Sequence, residues 1–259
     1  MNEKTKNSGW HYFYTCHPRP RLKPSGVNFS WDPAKMVSVP IFCLCLIILI
    51  SICTGNVYGE EKMSIKKQVI DLPKPALRGE MSLEETIVKR RSIREYKDKQ
   101  LNIEQVSQLL WAAQGITDER SGYRAAPSAG AGYPLKIYVA KSDGLFHYIP
   151  QGHKLEKLSD KNLRGDLSDA ALSQSWVEDA AIDIIITASY SRLSRYGERA
   201  VRYADIEVGH VAQNIHLQAV ALGLASVPVG AFNDFSVSKV LSLPKDETPL
   251  YIIPVGYKK

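Results

Sequence analysis

Apolar residues recur at helical spacing in three stretches of the chain, and this pattern predicts three main helices. The first follows the capping residue Ser82 and ends near Arg90, and the second begins after Asn102 and ends at Gly115. The third covers roughly residues 194–222 and is the longest. Because apolar side chains occur on two of its faces, we expect it to be buried nearly all round.

Other apolar runs are typical of strands. Residues 135–140 and 145–149 flank a Ser-Asp-Gly turn, and the unbroken apolar run at 181–187 indicates a buried central strand. Residues 225–232 and 250–257 are also strand-like. Helices and strands do not alternate regularly along the chain, which favours an α+β fold over a doubly wound sheet.

The first 59 residues differ from the remainder. The uncharged apolar run at 37–55 has close to the length that crosses a bilayer, and small residues just before Glu60 suit cleavage after Gly59. The folded domain is therefore expected to be exported, to a periplasmic or extracellular location, or to be membrane-anchored. Basic residues flank the run on both sides, so charge leaves its orientation open.

This pattern divides the chain into three parts. We expect a polar leader with a signal or anchor segment at 1–59, a linker at 60–80 and the folded domain at 81–259. The leader is long for a signal sequence, so Met36 is an alternative start to Met1.

Charge and cysteine content exclude several functions for the folded part. The leader carries six Lys and Arg against two Asp and Glu, whereas the rest carries 27 against 25, so nucleic-acid binding gains little support. The four cysteines all lie in the leader, which excludes a disulfide framework, a thiolate metal site and a catalytic cysteine downstream. Those cysteines are Cys16, Cys43, Cys45 and Cys53.

A cluster of guanidinium groups directly after the first helix is the main candidate for binding chemistry. Residues 90–94 read Arg-Arg-Ser-Ile-Arg, and Arg forks together with a hydroxyl match phosphate oxygens. A solvated basic surface is the alternative. Gln213 and Asn214 are expected to be buried on the third helix, where an amide without a hydrogen-bonding partner costs about 1–3 kcal/mol. They therefore need either a partner in the protein core or a heteroaromatic ligand.

Four ordered segments resemble the nitroreductase family, and most closely its SagB-type, thiazole/oxazole dehydrogenase-like branch. They are residues 90–94, 127–134, 209–218 and 223–230. The resemblance implies an α+β sandwich that binds FMN at a homodimer interface and acts on a small organic substrate. NAD(P)H is a candidate electron donor. No Gly-x-Gly-x-x-Gly or Walker loop is present that would indicate a different nucleotide site.

The resemblance also assigns cofactor-binding residues. It implies that the cluster at 90–94 and a terminal lysine surround the FMN phosphate, with Arg94 reaching toward the pyrimidine side of the flavin. The small residues 127–130 would lie along the ring, and the backbone of residues 229 and 230 would lie near flavin N5. The side-chain amides of residues 213 and 214 would gain the hydrogen-bonding partner they need. These residues are Arg90, Arg91, Ser92, Arg94, Lys258, Pro127, Ser128, Ala129, Gly130, Val229, Gly230, Gln213 and Asn214.

One residue pair differs from the pattern of the SagB-type branch. Azoline-oxidising members carry Lys-Tyr before the Gly-His of the long helix, whereas this chain has Arg202-Tyr203. Arg stays charged and is a poor proton carrier, so Tyr203 is the better candidate catalytic group, and Arg202 either takes part or pairs with a neighbouring acid on the helix surface. The expected function is two-electron hydride transfer through flavin N5. The alternative is a membrane-tethered or exported flavin carrier without catalysis.

Overall fold

A computed structural model of the protein describes residues 68–259. The leader, the apolar run at 37–55, the cleavage site after Gly59 and the four cysteines lie outside the described residues, so the expectations for them stay predictions. Within residues 68–259, no helix combines the length and the apolar character needed to cross a membrane.

Most strands join a single antiparallel sheet. The strands of the described region are β1 (Val69–Asp71), β2 (Ile116–Asp118), β3 (Tyr123–Arg124), β4 (Leu135–Lys141), β5 (Gly144–Ile149), β6 (Lys154–Ser159), β7 (Ile182–Ser189), β8 (Leu224–Ser226) and β9 (Glu247–Tyr257). The main sheet has the order β1-β6-β5-β4-β7-β9-β8, while β2 and β3 form a separate hairpin. The edge strand β1 lies within the stretch predicted to be a linker.

The α-helices of the described region are α1 (Leu83–Lys89), α2 (Ile103–Gln114), α3 (Arg164–Ala170), α4 (Ser175–Asp179), α5 (Arg199–Ala221) and α6 (Asp234–Val240). Short 3₁₀ helices lie at Ala129–Ala131 and Tyr190–Tyr196. The predicted caps are confirmed, since the Ser82 hydroxyl accepts from Glu85 N (3.1 Å) and Asn102 forms a reciprocal capping box with Gln105.

The central strand β7 is buried along its whole length and supplies both faces of the sheet. Ile184 and Ile186 pack on one side with the apolar residues of α2 and α5, whereas Ile185 packs on the other with those of α3, α4 and α6. Alternation along a strand directs successive side chains to opposite faces, so one strand serves two cores. The expected α+β fold is confirmed.

The long helix α5 is less buried than its apolar pattern predicts. It begins at Arg199, after the 3₁₀ helix at Tyr190–Tyr196, and its outer face exposes Ile206 (51%) and Gln213. The prediction that it is buried nearly all round, with Gln213 inside, is therefore wrong. On the second apolar face Ala212 is buried and Leu217 and Val220 are half-buried, whereas Ile206 is exposed in a single chain.

Only the first two residues of the segment predicted as a strand at 225–232 belong to a strand, since β8 covers Leu224–Ser226. After β8 the pairing stops at Pro228, which has no N–H to donate, and resumes as one isolated bridge between Val229 and Ile252. The short elements β6, α3 and α4 were not predicted from the sequence.

Candidate functional site

The loop that follows α1 is laid against the edge of the main sheet. Ile93 N donates to Ser226 O (3.1 Å), and Ser92 forms a bridge with Ser226 in the edge strand β8. Four residues later, Tyr96 bridges to Lys258 just beyond β9. These backbone contacts gather the predicted phosphate-binding side chains of residues 90–94 and Lys258 at one edge of the fold.

A histidine on α5 positions the first arginine of this loop. Arg90 Nη1 lies 3.3 Å from His216 Nε2, and His216 Nδ1 lies 2.5 Å from the Ser226 hydroxyl. Burial, followed by the adjacent Arg90 charge, lowers the pKa of His216 to about 4, so the ring is neutral at pH 7. A neutral ring accepts from Arg90 through Nε2 and donates through Nδ1 to Ser226, which fixes the tautomer.

The positive charges at this edge have no acidic partner in the part of the chain that the structure describes. Within residues 68–259, no ion pair engages Arg90, Arg91, Arg94 or Lys258. Arg91 Nη1 donates to the carbonyls of Val88 and Arg90, and the Arg94 guanidinium lies over the Trp176 ring at 5.4 Å. Three of these four cations are exposed, as is the Ser92 hydroxyl. This donor set fits the phosphate of a nucleotide such as FMN.

The predicted ring-contact segment 127–130 lies elsewhere, beside the 3₁₀ helix at Tyr190–Tyr196. Arg195 Nη2 donates to Gly130 O (2.5 Å) and Arg192 Nε donates to Gly132 O (3.1 Å). Gly130 has φ +54°, and Arg195 and Tyr196 occupy the space where its side chain would be. The small residue at this position therefore admits Arg195, which is a different reason from close approach to a flat ligand.

A cavity of about 200 Å³ separates this segment from α5. It is lined by Pro127, Ser128, Ala129, Tyr203, Ile206, Glu207 and His210. Tyr203, the predicted catalytic residue, is half-buried there and meets Tyr196 edge-on with ring centroids 5.0 Å apart. Arg202 is exposed, and within residues 68–259 it forms no ion pair with the neighbouring acids.

The other predicted cofactor contacts have different surroundings from those expected. Asn214 is half-buried and donates to the carbonyls of Ala112 (3.1 Å) and Ala125 (3.4 Å), so its partners are protein groups, while Gln213 is exposed. Val229 exchanges both backbone hydrogen bonds with Ile252, at 2.7 and 3.0 Å. Of the Val229–Gly230 pair, Gly230 is the residue left exposed toward solvent.

The fold and the arginine loop agree with the comparison to known proteins. The nitroreductase family profile matches residues 87–257. The chain belongs to the nitroreductase family. A Methanocaldococcus jannaschii protein that carries a nitroreductase name is 45% identical over 186 residues, which cover 69% of this chain and 92% of that protein.

Two further relatives extend the comparison. A Ralstonia eutropha crystal structure with a nitroreductase title has a TM-score of 0.69 and 30% identity, covering 74% of this chain and 90% of that one. The Bacillus subtilis FMN reductase [NAD(P)H] is 24% identical over 182 residues, which cover 64% of this chain and 62% of that protein. The chain is therefore a nitroreductase-family oxidoreductase related to FMN reductases.

Sequence reasoning did not find three polar residues of this nitroreductase-family site, namely His216, Ser226 and Glu207. The first two support the arginine loop from more than 120 residues away, which no local pattern reveals. The sequence signal that could have found Glu207 is its position between Ala204 and Val211 on the stripe of α5 that is buried in the fold.

Proposed function

We propose that the protein is an FMN-dependent oxidoreductase that transfers two electrons to or from a small organic substrate. The observation that carries this proposal is the concentration of unpaired cations at the edge of the sheet. Four charged side chains that have no acidic partner among residues 68–259 stabilise a bound dianion, and in water they would otherwise repel one another. The relationship to an FMN reductase supports FMN as that anion.

In this proposal Arg90, Arg91, Ser92 and Lys258 hold the FMN phosphate, and Arg94 lies toward the flavin ring. FMN, when bound, supplies two-electron transfer at its N5. The chain's own residues bind and position the cofactor. Tyr203 lines the 200 Å³ cavity, and it is the proposed proton-exchanging group because arginine stays charged and Arg202 is exposed.

The two groups of predicted cofactor residues lie far apart within one chain. His216, which supports the phosphate loop, and Tyr203, which lies beside residues 127–129, are 13 positions apart on α5, or about 20 Å along the helix axis. A two-fold pairing of two chains would bring the phosphate loop of one near residues 127–130 of the other. We therefore propose a homodimer with two shared sites.

Uncovered apolar surface supports the homodimer. Leu77 (79% exposed) and Val88 (70% exposed) lie on or near α1, and Ile206 is exposed on α5. A cavity of about 640 Å³ lies between residues 74–86, α2 and the C-terminal half of α5. Apolar surface of this kind marks a contact with another chain, and a second copy would cover it.

Mixing two defective chains tests whether the sites are shared. Arg90→Ala removes a phosphate ligand, and Ala129→Trp fills the position beside the ring. Each variant alone is expected to retain little FMN through purification because its affinity is lowered, whereas co-expression restores about a quarter of the sites, because half of the dimers are mixed and one of their two sites is intact. Flavin absorbance per chain measures this. If co-expression restores no flavin, the two groups of residues do not form one site shared between the chains.

Arg94 is proposed to set the flavin's reduction potential. A fixed cation near the reduced ring stabilises its negative charge. Arg94→Gln is therefore expected to lower the potential of bound FMN by roughly 30 mV, a tenfold change in a two-electron equilibrium. Dye-coupled redox titration measures the shift, with Arg91→Gln as the matched control. An unchanged potential in Arg94→Gln, with FMN still bound, would leave Arg94 as a phosphate ligand only.

Anaerobic mixing with NADH or NADPH tests the proposed electron donor. Bleaching of the flavin absorbance followed by its return on addition of a quinone or nitroarene is expected of the enzyme. A flavin that no donor reduces would instead favour the carrier function. Family membership favours the enzyme. Membership of the SagB-type branch remains a proposal, because Arg202-Tyr203 replaces the Lys-Tyr of its azoline-oxidising members.

The cellular location of the domain affects which electron donor is available to it. We propose that residues 37–55 export or anchor the domain. Outside the cytoplasm, a quinol or a protein partner would replace NAD(P)H. Protease treatment of intact spheroplasts is expected to remove a C-terminal tag from an outward-facing domain, and a tag that is protected until lysis would contradict export.

A further inference from the structure

The side chain of Arg94 makes one contact that fixes its position in the described region, and its partner is the indole of Trp176. The guanidinium lies over the Trp176 ring, with Cζ 5.4 Å from the ring centroid. Among residues 68–259 its N–H groups have no hydrogen-bond acceptor and its charge has no ion-pair partner. A cation within about 6 Å of an aromatic centroid is attracted to the face of the ring.

This contact leaves the hydrogen-bond donors of Arg94 available to a ligand. The other two arginines of the loop use donors within the protein, since Arg91 Nη1 donates to two carbonyls and Arg90 Nη1 is directed at His216. A ring face instead attracts the positive charge and takes up none of the donors of the guanidinium. Arg94 thus has a fixed position together with a complete set of N–H donors.

The indole of Trp176 is itself held by apolar packing on two sides. It packs against the small cluster of Tyr96, Ala180 and Ala225, as does Ile93, and against the larger cluster that includes residues of α3, α4 and α6. Its Nε1 is buried and has no hydrogen-bond partner among the described residues. A buried indole N–H normally finds a partner, so packing and the cation at its face set the position of this ring.

The backbone beside Arg94 is also fixed. Ile93 N donates to Ser226 O (3.1 Å) in the edge strand β8. The Tyr96 hydroxyl donates to Ile93 O (2.8 Å) and to Pro254 O (3.3 Å). With the backbone held on both sides, the place of the guanidinium depends on the rotamer of the Arg94 side chain, and the attraction to the indole selects among those rotamers.

We propose that Trp176 is the residue that positions Arg94 for its role in setting the reduction potential of the flavin. The attraction at the ring face favours the observed position of the guanidinium about two- to fivefold over alternatives. Trp176 acts on the flavin through Arg94 and needs no contact of its own with the cofactor. The inference rests on the proposed function in taking the ligand of Arg94 to be the flavin of FMN.

Arginine side-chain NMR of the purified full-length protein, stripped of flavin, tests the contact itself. With isotope-labelled arginine, the Arg94 Nε–H signal is assigned by its loss in Arg94→Lys. The indole ring current should displace this signal in the wild type, and Trp176→Leu should return it toward the position of a solvated arginine. Trp176→Phe keeps a ring and should retain part of the displacement, while the signal of exposed Arg120 should not change. An Arg94 signal that Trp176→Leu does not move would overturn the proposal.

The reduction potential of bound FMN tests the role of the contact. Trp176→Leu is expected to lower it by about 14 mV, a threefold change in the two-electron equilibrium, because part of the Arg94 population leaves its position. The double variant with Arg94→Gln should have the potential of Arg94→Gln alone. Val177→Ala removes buried packing from the same helix and should leave the potential unchanged. An unchanged potential in Trp176→Leu with FMN bound, or an equal shift with and without Arg94, would contradict the positioning role.

The two readouts separate this proposal from the proposed function. A colourless protein in which Trp176→Leu still moves the Arg94 signal would refute FMN dependence and leave Trp176 as the residue that positions Arg94. Bound FMN together with an Arg94 signal that does not respond to Trp176→Leu would refute the positioning role and leave the proposed function in place.

Discussion

Replacing Arg90 with alanine is expected to weaken FMN binding about 10- to 100-fold. The guanidinium is held by His216 and has no acidic partner within residues 68–259, so its donors are available to the phosphate. Removing one charged hydrogen-bond partner costs about 1.5–3 kcal/mol, which corresponds to this range. Titration of flavin-free protein with FMN, followed by quenching of flavin fluorescence, measures the change.

Two further variants make the Arg90 result specific. Arg120→Ala removes an exposed arginine from the turn between β2 and β3 and should leave FMN affinity unchanged. Arg90→Lys restores charge without the planar fork and should recover only part of the affinity. Equal affinities for Arg90→Ala and Arg120→Ala would show that Arg90 does not bind the phosphate.

The free energy of unfolding is expected to fall as pH rises because of Asp183. This aspartate lies in β7, is fully buried, and neither carboxyl oxygen has a hydrogen-bond partner among the described residues. Burial raises the pKa of Asp183 well above 3.8, and the charge of Arg164 only partly opposes the rise. Between the unfolded and folded pKa values the folded state binds more protons than the unfolded state, so stability decreases with pH by about 1.4 kcal/mol per unit.

Asp183→Asn removes this proton linkage and keeps the shape of the side chain. Its unfolding free energy relative to the wild type should therefore increase by about 1.4 kcal/mol for each pH unit above 3.8, as long as Asp183 stays protonated in the wild-type fold. Urea denaturation at several pH values measures the difference. Asp169→Asn, on the exposed side of α3, is the control. Parallel pH curves for Asp183→Asn and the wild type would mean that Asp183 is ionised in the fold.

Elements with strong local signals were predicted from the sequence. Helix α2 has a capping residue at Asn102 and a terminating Gly115, and the run of isoleucines in β7 is apolar on both faces. Helices α3 and α4 were missed because each is short and contributes few core side chains, mainly Leu167 and Val177. Such segments take their structure from the surface on which they pack rather than from their own periodicity.

The candidate site was only partly predicted, because only some of its residues are adjacent in the sequence. The loop at 90–94 was identified because its charges are adjacent in sequence, and Lys258 lies at the same edge through its bridge to Tyr96. Gln213 was placed inside wrongly because periodicity cannot show which face of a doubly apolar helix the sheet covers. The contact of Arg90 with His216 and the network from Arg124 to Glu207 join residues distant in sequence, so they require the fold.

The most direct test of the central claim is the visible absorbance of the purified full-length protein, followed by quantification of FMN after denaturation. We predict a yellow protein that carries about one FMN per chain, or takes up that amount when FMN is added. A colourless protein that neither retains FMN nor binds it on reconstitution would contradict the account.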